Sequence, residues 1–177
     1  MKAVDTRNIE DLKQVIKNGE NPDYCLFWGG FMSQWARSPF TVDGVEYPTA
    51  EHWMMVRKAE MFNDQDALNK ILKTSDPKTA KAIGRQVRGF EKDTWEKDCF
   101  DLVVEGNVEK FTQNVEFEKQ LIGTGDAVLV EASPYDKIWG IGLDSTDYRA
   151  QDPFTWKGTN FLGFALMEVR AQIKELH

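Results

Sequence analysis

A chain of 177 residues is long enough to fold as one domain around a sizeable core. With 41% hydrophobic and 29% charged residues it reads as globular, which excludes a disordered chain. A net charge of −7 makes a poor general binder of duplex nucleic acid, whose affinity comes mostly from phosphate contacts, but leaves room for a pocket that takes one nucleotide.

Ile9, Leu12, Val15 and Ile16 recur at helical spacing, so residues 7–18 are expected as a helix ended by Asn18-Gly19. Tyr24–Phe27 reads as a strand, and Gly29-Gly30 breaks regularity before a shaped loop over 31–38. Residues 40–47 read as a hairpin turning at Asp43-Gly44. Thr49 is a good N-cap for a helix that carries Glu51, His52, Trp53, Met54, Met55 and Lys58. Another helix is expected over 66–73, and Asp76-Pro77 has the form of a helix start. Trp95 opens a longer helix reaching Phe111, and a short one over 113–122 stops at Gly123. Residues 127–132 alternate and are β-branched, as in a strand. Residues 133–160 hold Gly, Asp and Pro with little periodicity, and a loop of that length inside a domain is usually functional. A last helix is expected from Asn160, with Leu162, Leu166, Val169 and Ile173 facing inward. The expected fold class is α+β: a helix-dominated single domain over residues 1–177 with a small β-sheet.

Glu51 and Lys58 carry the strongest chemical signal. Seven residues separate them, nearly two turns, so both leave one helix face about 10 Å apart along the axis. Burying either charge without a partner is costly, so this pair on an apolar helix signals an ion network or a reactive site. The plain alternative is a partly exposed glutamate and a snorkelling lysine. Asp136, before Trp139-Gly140, has turn capping as its alternative. For Trp95 the alternative is core packing, for Arg85 a solvated charge, and for Asn160 the N-cap of the last helix. His52 reads as a hydrogen-bonded core residue rather than a general base.

His52 and His177 are the only histidines, and Cys25 and Cys99 the only cysteines, neither in a CxxC. No metal site and no cofactor are therefore expected, and thiols without a disulfide framework fit a reducing, cytoplasmic setting. No apolar run approaches the roughly 20 residues of a membrane span, and the opening residues 1–8 lack the apolar stretch of a secretory signal.

The ordered set Gly44-x-x-Tyr47-Pro-Thr-Ala-Glu51-His-Trp53, Lys58, Gly84-Arg85, Trp95, Asp136 before Trp139-Gly140, and Gly158-Thr-Asn160-x-Leu-Gly163 resembles the NADAR family, the YbiA-like N-glycosidases. The match runs over roughly residues 24–175. The resemblance implies cleavage of an N-glycosidic bond between a ribose carbon and a base-like nitrogen. Two substrate classes go with it: ADP-ribose attached to guanine, free or within nucleic acid, and phosphoribosylamino intermediates of riboflavin synthesis. It implies catalytic roles for Glu51, Trp95 and Asp136, with Lys58 as a nucleophile that forms a Schiff base. It also implies substrate-binding roles for Phe27, Arg85, Trp139, Gly140 and Asn160. Arg85 and the N-terminus of the last helix are the candidates for holding phosphate. A non-catalytic reader of ADP-ribose is the alternative of another class. Some family members carry an acidic residue where this chain has Ile141, a departure that weakens the riboflavin reading.

Overall fold

The computed structural model describes residues 6–177; residues 1–5, part of the opening read above for a signal, lie outside the described residues. The elements follow in order: α1 (Ile9–Lys17), β1 (Tyr24–Phe27), β2 (Phe40–Val42), β3 (Val45–Tyr47), α2 (Ala50–Met61), α3 (Gln65–Lys73), α4 (Pro77–Gly84), α5 (Lys92–Thr112), α6 (Val115–Gly123), β4 (Val128–Glu131) and α7 (Phe161–Leu176). Short 3₁₀ turns lie at Gly30–Met32 and Tyr148–Gln151. This is the helix-dominated α+β class expected, with strands confined to two small pairs. The chain divides into two compact units, one built from residues up to Ser33 together with Phe117–His177, the other from Gln34–Glu116.

In the first unit, β1 and β4 pair in parallel, with Tyr24 opposite Val128 and Phe27 opposite Glu131. All four residues of β4 are buried, as befits a strand covered on its faces. Helix α7 packs on β4, and Gly163 permits it: a Cβ there would run into the Leu129 carbonyl and the Asn160 amide. Arg170, fully buried on α7, anchors the far end by donating to the Thr124 hydroxyl (2.7 Å) and the Ala127 carbonyl (2.9 Å).

The second unit is built around α2. Thr49 caps it, accepting the His52 N–H at 3.3 Å. Residues Ala50 through Val56 are all buried, because neighbours cover the helix on several sides: α3, α4 and α5 pack on it and the β2–β3 hairpin closes one end. The hairpin turn uses Asp43 (φ 51°) and Gly44 (φ 79°), the left-handed pair that a tight hairpin needs. Phe40, Tyr47 and Trp53 form an aromatic cluster with centroids 5.1–6.1 Å apart. The Trp53 indole donates to Leu102 O at 2.8 Å, and its ring lies where any side chain at Gly106 of α5 would sit. That contact sets α5 close against α2.

Candidate active site

His52 is fully buried on α2, and both ring nitrogens are engaged, Nδ1 with the Thr49 hydroxyl (2.7 Å) and Nε2 with the Thr74 carbonyl (2.8 Å). A carbonyl only accepts, so Nε2 carries the proton and Nδ1 accepts from Thr49. Burial holds its pKa below the usual value, against smaller upward pulls from the Thr74 carbonyl and Asp76. The ring is a neutral structural strut, without a lone pair to offer a substrate.

Glu51 is only 5% exposed. Glu51 is thus buried rather than partly exposed, and a buried carboxylate on an apolar helix has to be accounted for by function or by partners. Its backbone N–H donates to Gln34 O at 3.0 Å, which fixes the first turn of α2. Lys58 is partly buried. Its amine stands 4.2 Å from the centre of the Phe90 ring and 5.7 Å from that of Trp95. Burial lowers the Lys58 pKa, Glu51 pulls it up, Arg85 pushes it down again, and the net shift is downward. Glu51 and Lys58 therefore share one electrostatic neighbourhood, as their spacing predicts, and Trp95 and Arg85 join it from α5 and from the end of α4.

Trp95 is 8% exposed in the first turn of α5. Arg85 is the C-cap residue of α4 and lies exposed. Among the described residues no hydrogen bond or ion pair is found for its guanidinium. Phe90 was not singled out by the sequence. It follows Gly89 (φ 72°) and packs edge-on against Phe62 at 5.3 Å. The loop is pinned at Arg88, whose N–H (2.8 Å) and guanidinium (2.9 Å) both donate to buried Asp64. Those bonds hold the Asp64 carboxyl well below the usual carboxylate range. No periodicity links Phe90 to Lys58, thirty-odd residues earlier in the chain; only the α2–α4 packing does.

In the first unit, Asp136 is half-buried, and its Oδ1 accepts the N–H groups of Ile138 (2.9 Å) and Trp139 (2.8 Å). One carboxylate oxygen thus caps the turn. Gly140 fits because a Cβ there would press on the Asp136 and Glu131 carbonyls. Trp139 meets Phe161 edge-on at 5.8 Å. Phe27 ends β1, 8% exposed, and its carbonyl accepts the Ala132 N–H at 2.8 Å. Asn160 is fully buried in the left-handed conformation (φ 55°) and makes no side-chain cap. Its amide instead bridges the end of β4, Nδ2 donating to Leu129 O (2.9 Å) and Oδ1 accepting Glu131 N–H (2.9 Å). The leading amides of α7 are also taken, Phe161 N–H by Ile138 O (3.1 Å) and Leu162 N–H by Trp139 O (3.0 Å). The first two amides of that helix terminus are therefore already engaged. Ile141 is buried, its N–H on Glu131 O (3.0 Å) and its carbonyl on Lys157 N–H (2.9 Å).

Glu51, Lys58, Arg85 and Trp95 thus belong to the second unit, and Phe27, Asp136, Trp139, Gly140 and Asn160 to the first. The profile of the NADAR domain family matches residues 26–174. The chain belongs to the NADAR family. It is 44% identical over 127 residues to N-glycosidase R617 of Acanthamoeba polyphaga mimivirus, covering 72% of this chain and 75% of that one. N-glycosidase YbiA of Escherichia coli is 32% identical over 144 residues, 81% of each chain. The solution structure of E. coli YbiA superposes with a TM-score of 0.71 at 29% identity, over 89% of this NADAR chain and 90% of that chain. A riboflavin biosynthesis protein of Vibrio vulnificus is 31% identical over 150 residues, 82% of this chain but 36% of its own length. Among the described residues, no helix of this NADAR protein is long and apolar enough to cross a membrane.

Proposed function

We propose that this protein removes ADP-ribose from guanine, with Lys58 as the nucleophile. The coarser statement, hydrolysis of an N-glycosyl bond in a small-molecule or nucleotide substrate, follows from the family and its curated N-glycosidases. The observation that carries the finer reading is the Lys58 amine: partly buried, shifted toward its neutral form, set against two aromatic rings, with the Glu51 carboxylate acting on it.

The steps suit those groups. The neutral amine attacks C1 of the ribose as the bond from C1 to the base nitrogen breaks. Positive charge grows on C1 and the ring oxygen, as in glycoside hydrolysis, and the Glu51 carboxylate stabilises it. The base leaves with a proton. Solvent supplies that proton, and Asp136 is carried over as a catalytic residue by family resemblance alone. The sugar ring opens to an imine on Lys58, its ring oxygen taking the proton lost from nitrogen. Water adds to the imine carbon, the C–N bond breaks, and free ADP-ribose and the amine are regenerated. Trp95 presents a flat face to base or sugar, and Arg85 pairs with phosphate.

The second reading, cleavage of a phosphoribosylamino intermediate of riboflavin synthesis, is favoured by the named role of the Vibrio vulnificus relative. Buried, apolar Ile141 weighs against it, since some family members place an acid there. Incubation with ADP-ribosylated guanosine and, separately, with the phosphoribosylamino pyrimidine, followed by mass spectrometry of products, tests the assignment. Release of guanosine and ADP-ribose is the expected result; turnover of the pyrimidine alone would reverse the order of the two readings. Borohydride should trap a sugar adduct on Lys58. Lys58→Ala should abolish the adduct and lower turnover by on the order of 10³ or more.

A further inference from the structure

Strands β1 and β4 run parallel, so the segments that follow them leave from the same end of the pair. In open parallel sheets, ligands gather at the carboxyl ends of the strands. Here those segments begin Trp28-Gly29-Gly30 after β1 and Ala132-Ser133-Pro134-Tyr135 after β4. Trp28 is 55% exposed and Tyr135 85% exposed, yet their rings meet with centroids 5.8 Å apart and planes at 54°. Two large rings in mutual contact and open to water are not core. The backbone holds them in place: Gly29 (φ 95°) and Gly30 (φ 67°) turn the chain directly after Trp28, and the buried Ser133 hydroxyl accepts the Tyr135 N–H at 3.3 Å. Phe27 precedes Trp28 and Asp136 follows Tyr135 in the chain, both of them candidate site residues.

We propose that Trp28 and Tyr135 form a stacking subsite, within the first unit, for the purine ring of a nucleotide. The occupant follows from the chemistry of the surface. Two tilted rings offer flat faces, which any base can stack on and which a sugar-phosphate alone cannot use well. Among the described residues no cation is paired with these rings, so the subsite contributes base recognition rather than phosphate recognition. It rests on the proposed nucleotide substrate, which carries a purine both in the adenosine end of ADP-ribose and in the guanine that leaves.

The test reads binding rather than turnover, so it stands apart from the nucleophile assignment. Lys58→Ala protein is titrated by calorimetry with GMP, AMP and ribose 5-phosphate. The same titrations are run with Trp28→Ala, Trp28→Tyr and Tyr135→Ala added singly. Both rings are exposed, so these variants should fold. Loss of a stacking face should weaken GMP or AMP binding by about tenfold or more. Trp28→Tyr should restore most of it, and ribose 5-phosphate should bind every variant alike. Which of AMP and GMP loses affinity identifies the purine that stacks. Equal binding of both nucleotides by the alanine variants, equal loss of ribose 5-phosphate binding, or no nucleotide binding by the parent would each overturn the subsite. Intact stacking alongside a protein that hydrolyses neither ADP-ribosylated guanosine nor the pyrimidine would instead sink the catalytic reading alone.

Discussion

Lys58 titrates under three influences of different sign, and two of them can be removed one at a time. Burial lowers its pKa, Glu51 raises it and Arg85 lowers it. Glu51→Gln deletes an attraction for the ammonium and should move the titration midpoint further down. Arg85→Ala deletes a repulsion and should move it up. Carbon-13 NMR of labelled lysine in the free protein reads both shifts; displacement of the two variants in the same direction would show that burial alone sets the value. The linkage to stability has a definite sign. The folded protein holds this proton less tightly than the unfolded chain, so the unfolded state binds more protons between the depressed pKa and the ordinary lysine value near 10.5. Stability contributed at this position therefore rises with pH through that window. Lys58→Met should raise the melting temperature at neutral pH, and the gain should shrink as the pH climbs toward the ordinary lysine value. A stabilising change that abolishes turnover is the behaviour of a residue kept for chemistry. The pairing of Glu51 with Lys58 was legible because both lie on one helix and helical spacing is a local rule. Phe90 over the amine was not, because the contact depends on how α2 and α4 pack and on the Asp64–Arg88 clamp that positions the loop.

At the scale of elements, the helix starts were the most legible features, since capping is written in adjacent residues. Thr49, Asp76 and the Asp43-Gly44 turn each appear in the structure where their chemistry places them. The parallel pairing of β1 with β4 was not legible, because it joins segments about a hundred residues apart and neither strand names its partner. Asn160 shows the same limit. Its position suggested a cap or a binding residue; the side chain makes no cap, and its amide ties α7 to the end of β4 by two bonds of 2.9 Å. Replacing it with alanine leaves the Glu131 N–H and the Leu129 carbonyl buried and unmet, at about 1–3 kcal/mol each. Asn160→Asp keeps the acceptor, loses the donor, and places a charge where no water reaches. Both variants should lower the denaturant midpoint without changing its slope. If either leaves stability intact and raises KM alone, Asn160 touches substrate and the bridging account is wrong.

The charge of the whole molecule decides the physical form in which it meets its substrate. A chain with a net charge of −7 repels a polyanion at long range, and a guanine inside a duplex must also be unstacked before its sugar can be reached, at a cost of a few kcal/mol. A free nucleotide needs no unstacking and, with few phosphates, meets far less repulsion than a polyanion, and exposed Arg85 offers one local cation. The kcat/KM for ADP-ribosylated guanosine monophosphate should therefore exceed that for the same adduct in duplex DNA by about tenfold or more, with single-stranded DNA between them. Salt separates the two penalties. Added salt screens repulsion, so turnover of the duplex should hold or rise as ionic strength increases from low to physiological, while unstacking persists and keeps it below the mononucleotide. A protein that grips duplex phosphates behaves oppositely, losing affinity steeply with salt as counterions compete. Kinetics on the three substrates across a salt series measure this directly. A duplex rate that is the highest of the three and collapses with salt would mean that a local basic surface outweighs the overall charge, and that nucleic acid rather than a free nucleotide is the working substrate.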